Sequence, residues 1–250
     1  MIHYHGPIHR LAPALALMKA RHAMISFADP STIELAAEVC QSFAIDNGAF
    51  SFWKRGGGNV NLKEYGHFVE KWRGHPGFDW CIIPDSIDGD ERLNDSLISH
   101  WFNVANVPLW ESVPVWHLHE SIERLERLSK LYPRIALGSS GDFSDPGTEK
   151  WWERMAEAME AICIGGIPCT RLHGLRMLNP TIFSQIPLSS ADSNNVSRNI
   201  GIDSRWDTAA YAPKTQSVRA LILADRIESH CSAATWQRRN GIECNLELIG

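Results

Sequence analysis

Short apolar runs bounded by polar or turn-forming residues recur along the chain, and most of the gaps between them carry apolar residues at helical spacing. The runs are "MIHYHG", "HAMISF", "SFAIDNGAF", "WCIIPDS", "VPVWHLHE", "RIALGSS", "TRLHGLRM" and "IPLSSADS", eight in all. Short continuous apolar segments of this kind suit strands buried on both faces. Helices are predicted for "STIELAAEVC", with Ser31 as N-cap, and for "NLKEYGHFVEKW", "DERLNDSLISHWF", "SIERLERLSKLY" and "GTEKWWERMAEAMEAI". "TQSVRALILADRIESH" predicts a closing helix and "SAATWQRRNG" a last amphipathic piece. Glu123 and Arg127 stand one helical turn apart and predict a surface ion pair worth only a few tenths of a kcal/mol.

Strands alternating with helices over short links imply parallel strands joined by right-handed crossovers. Eight of them predict a single α/β domain over residues 1–250, a (β/α)8 TIM-type barrel, with an open doubly wound sheet as the competing arrangement. No GxGxxG follows an early strand, and Gly56 to Gly58 lie in a polar loop, so dinucleotide and phosphate-loop readings lose support. The longest irregular stretch runs from Asn194 to Thr215, and loops of that size are commonly functional or mobile.

Composition narrows the class further. The chain of 250 residues is 44% hydrophobic and 21% charged, with 24 basic and 29 acidic side chains and a formal charge of −5. No global field draws in polyanions, so nucleic-acid contact requires a local basic surface. Lys54, Arg55, Arg198, Arg205, Arg238 and Arg239 are candidates for it. Six cysteines without CxxC pairs read as free thiols of a cytoplasmic protein. The N-terminal residues lack a signal-peptide apolar region, and no stretch is long and apolar enough to span a membrane.

In a barrel of this kind chemistry sits at the C-terminal ends of the strands. Asp46 closes the third run; Asp85, Ser86, Asp88 and Asp90 close the fourth; His117, His119 and Glu120 close the fifth. Gly138, Ser139, Ser140 and Gly141 follow the sixth, His173 and Gly174 lie in the seventh, and Asp192 with Ser193 ends the eighth. Asp88 and Asp90 also suit N-caps of the next helix. Asp46 is followed by "NGAFSFW", which reads as an aromatic-rich turn, not a helix start. A lone buried acid is costly, so Asp46 should have a function or a partner. His117 and His119 alternate by two and so point to the same side of their strand, the geometry of an HxH metal pair. That leaves open a metal-dependent barrel hydrolase using His117, His119, His173 and Asp192. Trp151 and Trp152 read as packing residues on an amphipathic helix.

Taken in order, "IDNGAF", "PDSIDGD" and "ADSNNVSRN", with "GSSG" and "LHGLRML" between them, resemble the motifs of the tRNA-guanine transglycosylases over roughly residues 40 to 200. The chain lacks that family's Cys-rich zinc site, and so is more similar to compact, often phage-encoded relatives that place 7-deazaguanines in DNA. Asn47 and Ala49 stand where the family shows Ser and Gly, and Ser-Asn-Asn follows Asp192 in place of an aliphatic-Pro pair.

The resemblance implies exchange of guanine in a polynucleotide, DNA before tRNA, for a 7-deazaguanine base, through a covalent glycosyl-enzyme. Asp192 would be the nucleophile and Asp46 the general acid/base. Asp85 would hold the amino edge of the base and the Ser139, Ser140 and Gly141 backbone would meet its carbonyl. Apart from the roles that the resemblance transfers, Asn47, Gly48, Phe50, His117, His119, His173, Gly174 and Arg198 are candidates for lining the substrate site. Phe50, Phe52 or Trp53 would stack on an extruded base. No metal and no cofactor is expected. A relative that retains the fold and binds nucleic acid without catalysis is the remaining alternative.

Overall fold

The computed structural model describes residues 1–56, 60–201, 206 and 212–238. Every one of the eight apolar runs contains a strand, and the fifth is split. The elements run β1 (Ile2–His5), α1 (Leu11–Met18), β2 (His22–Ser26), α2 (Ile33–Val39), β3 (Ser42–Asp46), α3 (Ala49–Lys54), α4 (Leu62–Arg73), β4 (Phe78–Ile82) and α5 (Glu91–Val104). They continue with β5 (Ser112–Val113), β6 (Val115–His117), α6 (Ile122–Leu131), β7 (Arg134–Gly138), α7 (Glu149–Ile162), β8 (Cys163–Ile164), β9 (Ile167–Pro168) and β10 (Arg171–Gly174). α8 (Pro180–Phe183), β11 (Ser190–Ser193), α9 (Asn195–Asn199) and α10 (Gln216–Glu228) follow.

Nine strands form one parallel sheet in the order β5-β4-β3-β2-β1-β11-β10-β7-β6. The two ends of that order are consecutive in the chain, separated only by Pro114. Proline has no N–H to give to a ladder, yet the neighbouring carbonyls still work in opposite directions. Val113 accepts from Ile83 (2.8 Å) on the β4 side, and Pro114 accepts from Ala136 (2.9 Å) on the β7 side. The sheet therefore curls round until it nearly closes on itself, with helices outside, which excludes the open doubly wound alternative.

Two apolar layers follow from the alternation of side chains along each strand. Tyr4, Met24, Ala44, Trp80, Ile82, Val113, Val115 and Ala136 pack together inside the curled sheet. Their neighbours, such as Ala23, Ile25, Phe43, Ile45, Ile135 and Leu137, pack outward against the helices.

Several local expectations need correction. α2 begins after Thr32, not Ser31, with no side-chain cap bond. Arg127 pairs with Asp95 at 2.7 Å and not with Glu123, because α5 brings a carboxylate from across the helix interface. Ser232 to Arg238 contain a bend at Ala234 and Thr235 and no helix. The segment after Asp46 is a short helix, α3, entered through Gly48 at φ 80, a backbone conformation that favours glycine. A Cβ on Gly48 would stand 2.7 Å from that of Ala28. α1 was not anticipated. It is apolar nearly throughout, carries Pro13 in its first turn and packs on α10, so it shows little of the polar–apolar contrast that marks a surface helix. The antiparallel β8–β9 hairpin, turning at Gly165 and Gly166 with φ of 60 and 81, was also unforeseen. Five cysteines, Cys40, Cys81, Cys163, Cys169 and Cys231, are free thiols; Cys244, Arg205, Arg239, Gly57 and Gly58 lie outside the described residues.

Candidate active site

The same alternation that fills the interior builds the site one pleat higher. Stepping two residues toward the strand C-termini from Met24, Ala44, Val115 and Ala136 gives Ser26, Asp46, His117 and Gly138, and the corresponding step in β11, from Ser190, gives Asp192. These five residues, with Asp85 from the loop after β4, line a cleft of about 600 Å³. Asn47, Phe50, Ser139 and Arg198 line it as well. Gly48, His119, Ser140, Gly141, His173 and Gly174 do not; they lie behind or beside its wall.

The acids are held differently. Gly48 N–H donates to Asp46 Oδ2 at 3.1 Å. Burial first, and then the charge of Asp192, pushes the Asp46 carboxyl up to about 6, with Asp85 adding to the shift and the Ser26 hydroxyl and the Gly48 amide opposing it. Asp85 has both oxygens engaged, Oδ1 by Asn47 Nδ2 at 2.6 Å and Oδ2 by His117 Nε2 at 2.8 Å. The same Asn47 amide donates to the Ile83 carbonyl (2.8 Å), while its Oδ1 accepts from Ala49 N–H (2.7 Å), so this buried residue ties β3, α3 and the β4 loop together. Asp192 Oδ1 accepts from the Arg176 amide at 2.9 Å.

A buried charge cluster beneath the rim fixes the β4 and β6 loops. Glu120 accepts from the His117 amide (2.8 Å), from Arg124 Nη1 (2.6 Å) and from Asn94 Nδ2 (2.8 Å). Asn94 in turn accepts from the Ser86 amide at 2.8 Å. Asp85 and His117 thus stand on segments pinned by one carboxylate. Asp90 caps α5 through the Leu93 amide (2.8 Å), whereas Asp88 accepts from Trp53 Nε1 (3.3 Å).

His119 departs from the HxH expectation. The strand ends at His117, and His119 lies in the following turn, exposed, with Nδ1 at 2.7 Å from Ser140 Oγ. The two rings nonetheless stack, 5.7 Å apart. Gly141, at φ 54, packs beside His119. Ser139 accepts from Trp151 Nε1 at 3.0 Å, which joins the turn after β7 to the buried Trp151 of α7. Among the described residues no group of three His, Cys, Asp or Glu side chains is arranged to hold a metal ion. Phe52 packs on the core, and Trp53 is 46% exposed.

Arg176 was missed. It stands two residues past the end of β10 at φ 59, and its guanidinium lies over the Phe50 ring at the cleft. Burial lowers its pKa, opposed by the charges of Asp192 and Asp46. The signal was present in "LHGLRML", since a cation just beyond a strand end can face acids on neighbouring strands. Which acids it meets depends on the order of strands in the sheet.

No family model and no curated protein matches the chain. A solved structure from Aquifex aeolicus VF5, described only as a structural study, is similar at 11% identity over 90% of this chain and 88% of that one, with a TM-score of 0.46. That degree of likeness carries no argument about fold or function.

Proposed function

We propose that the chain is a glycosyltransferase of the guanine transglycosylase type. It exchanges guanine in a polynucleotide, DNA in preference to tRNA, for a 7-deazaguanine base through a covalent Asp192 intermediate. With residues 112–117 counted as one strand interrupted at Pro114, the sheet reads as a (β/α)8 barrel, and the cleft lies at the end where such barrels carry chemistry. The observation that carries the reading is the joint placement of Asp46 and Asp192 in one cleft, with the Asp46 carboxyl pushed up to about 6. Paired acids with separated proton affinities supply a proton donor and a nucleophile side by side.

In the first half-reaction an Asp192 oxygen forms a bond to C1′ of the nucleotide. The C1′–N bond breaks, its electron pair leaves with guanine, and Asp46 supplies the proton. In the second, Asp46 takes the N–H proton of the incoming base, whose nitrogen bonds C1′ as the pair of the Asp192–C1′ bond returns to the carboxylate. Asp85, fixed by Asn47 and His117, offers its remaining lone pairs to ring N–H and amino donors. Phe50, with the Arg176 guanidinium stacked on its ring, walls the pocket for the extruded base, and Arg198 stands near the backbone phosphates. The cleft falls within the range of about 300–1,000 Å³ usual for small-molecule sites.

The test is incubation with guanine-containing DNA, or with tRNA, and labelled guanine or a 7-deazaguanine. Incorporation into DNA that disappears in Asp46→Asn and Asp192→Asn is expected. Absence of incorporation into every polynucleotide offered would remove the proposal.

A further inference from the structure

Below Asp192, inside the curled sheet, His173 is fully buried. Its Nδ1 lies 2.9 Å from Ser190 Oγ, also fully buried. Its ring packs edge-on against Trp80, with centroids 4.7 Å apart, and against Tyr4 at 5.9 Å. Its Nε2 has no well-aligned hydrogen-bond partner, yet stands 3.3 Å from Asp192 Oδ1. The two facts agree if the N–H points off line in the resting protein. Hydrogen bonds of this sort are commonly long before substrate binds and tighten afterwards.

Burial keeps the His173 pKa below its ordinary value, opposed by Asp192, so the ring carries one proton. A carboxylate can only accept. The proton therefore belongs on Nε2, facing Asp192, and Nδ1 accepts the Ser190 hydroxyl proton. With the Arg176 amide on the same oxygen, Oδ1 of Asp192 is held from two sides. Among the described residues none bonds Oδ2.

We propose that His173, with its proton kept on Nε2 by the Asp192 carboxylate and its Nδ1 accepting from Ser190, is the positioning residue for Asp192: it holds Oδ1 so that Oδ2 is the oxygen presented to substrate. The consequence for rate rests on the transglycosylase reading, whereas the hydrogen-bond arrangement does not. The role resembles that of a residue that orients a nucleophile or base without touching substrate. Oδ2 forms the bond to C1′ and takes its electron pair back in the second half-reaction, while Oδ1 stays bound to Nε2–H throughout.

Two measurements test this. Long-range proton–nitrogen NMR on the intact protein is expected to show a neutral His173 with the proton on Nε2, and to show the same tautomer in Ser190→Ala. In the exchange assay, with folding checked by thermal melting, His173→Leu is expected to lower kcat on the order of 10- to 100-fold, the scale of one hydrogen bond to a charged group, with KM for both substrates unchanged. His173→Gln, whose amide N–H reaches the Nε2 position, is expected to recover most of that loss. A proton on Nδ1, or equal losses in the Leu and Gln variants, overturns the inference even if exchange itself is observed. If the wild-type protein performs no exchange, the spectrum still decides the hydrogen-bond arrangement, while the catalytic role falls together with the proposed function.

Discussion

The interior of the sheet places acids at both of its ends and treats them in opposite ways. Near the strand N-termini, Asp79 Oδ2 receives the Tyr4 hydroxyl at 2.6 Å and the Ser42 hydroxyl. His22 Nδ1 lies 2.8 Å from Ser42 Oγ, and Trp80 Nε1 donates to the Tyr4 oxygen at 3.1 Å. Arg134 lies over the Trp80 ring. At the C-terminal end Asp46 receives one backbone amide, faces two further acids and is pushed up to about 6. Two hydroxyl donors meet Asp79 Oδ2, whereas gathering Asp46 with Asp192 and Asp85 in one cleft leaves a proton to share. The first arrangement suits stability; the second suits the acid–base and nucleophilic roles given to Asp46 and Asp192 in the proposed function.

The contrast can be broken from its foundation upward. Arg124→Leu should have the largest effect on folding. It strands the buried Glu120 carboxylate, and loss of one partner of a buried pair typically costs about 3–5 kcal/mol. Chemical denaturation measures this, and an unchanged midpoint would show that the pair does not anchor the β4 and β6 loops. Asp79→Asn should come next, at about 2–3 kcal/mol for two weakened hydroxyl bonds to a charged acceptor, with base exchange retained. Loss of exchange in a folded Asp79→Asn protein would erase the division between the two ends.

Asp46→Asn should do the reverse, abolishing exchange and raising stability at neutral pH. The folded chain keeps the Asp46 proton up to about pH 6, while the unfolded chain releases it near the ordinary 3.8. That advantage of the folded state is whole below the ordinary value and is lost as pH rises through about 6. Above it the ionised acid costs about 2 kcal/mol, allowing for solvent in the cleft. Asp46→Asn should therefore flatten stability against pH over this interval, and a variant that instead melts lower at neutral pH makes Asp46 a structural acid. The smallest effect belongs to Trp53→Ala at the exposed rim, expected within about 0.5 kcal/mol of wild type but weaker in binding polynucleotide, as a filter-binding assay would show.

The end that carries the cleft was the easier to read from sequence. Asp46, Asp85 and Asp192 were legible because each ends an apolar run, and nothing beyond a strand–helix alternation is needed to gather strand ends. The Asp79 network was not, since Tyr4, Ser42 and Asp79 come from three separate strands and meet only through the stagger of the curled sheet. The role of His173 stayed hidden for the same reason, as its partners Asp192 and Trp80 lie on β11 and β4. Helices with a polar face were readable, whereas α1, apolar on all sides beneath α10, was not. The β8–β9 hairpin places Ile164 and Ile167 largely in solvent, against the rule by which apolar runs were read. Ion pairs failed where tertiary neighbours outbid helical ones, as with Arg127 and Asp95.

The central claim, that Asp192 carries the sugar between two bases, is tested most directly by trapping the intermediate. The protein is incubated with guanine-containing DNA in the absence of a competing base, denatured, and digested for peptide mass mapping. The account predicts a nucleotide adduct on the peptide containing Asp192, absent in Asp192→Asn and chased away by added 7-deazaguanine. An adduct on another residue, or base exchange that proceeds undiminished in Asp192→Asn, would contradict it.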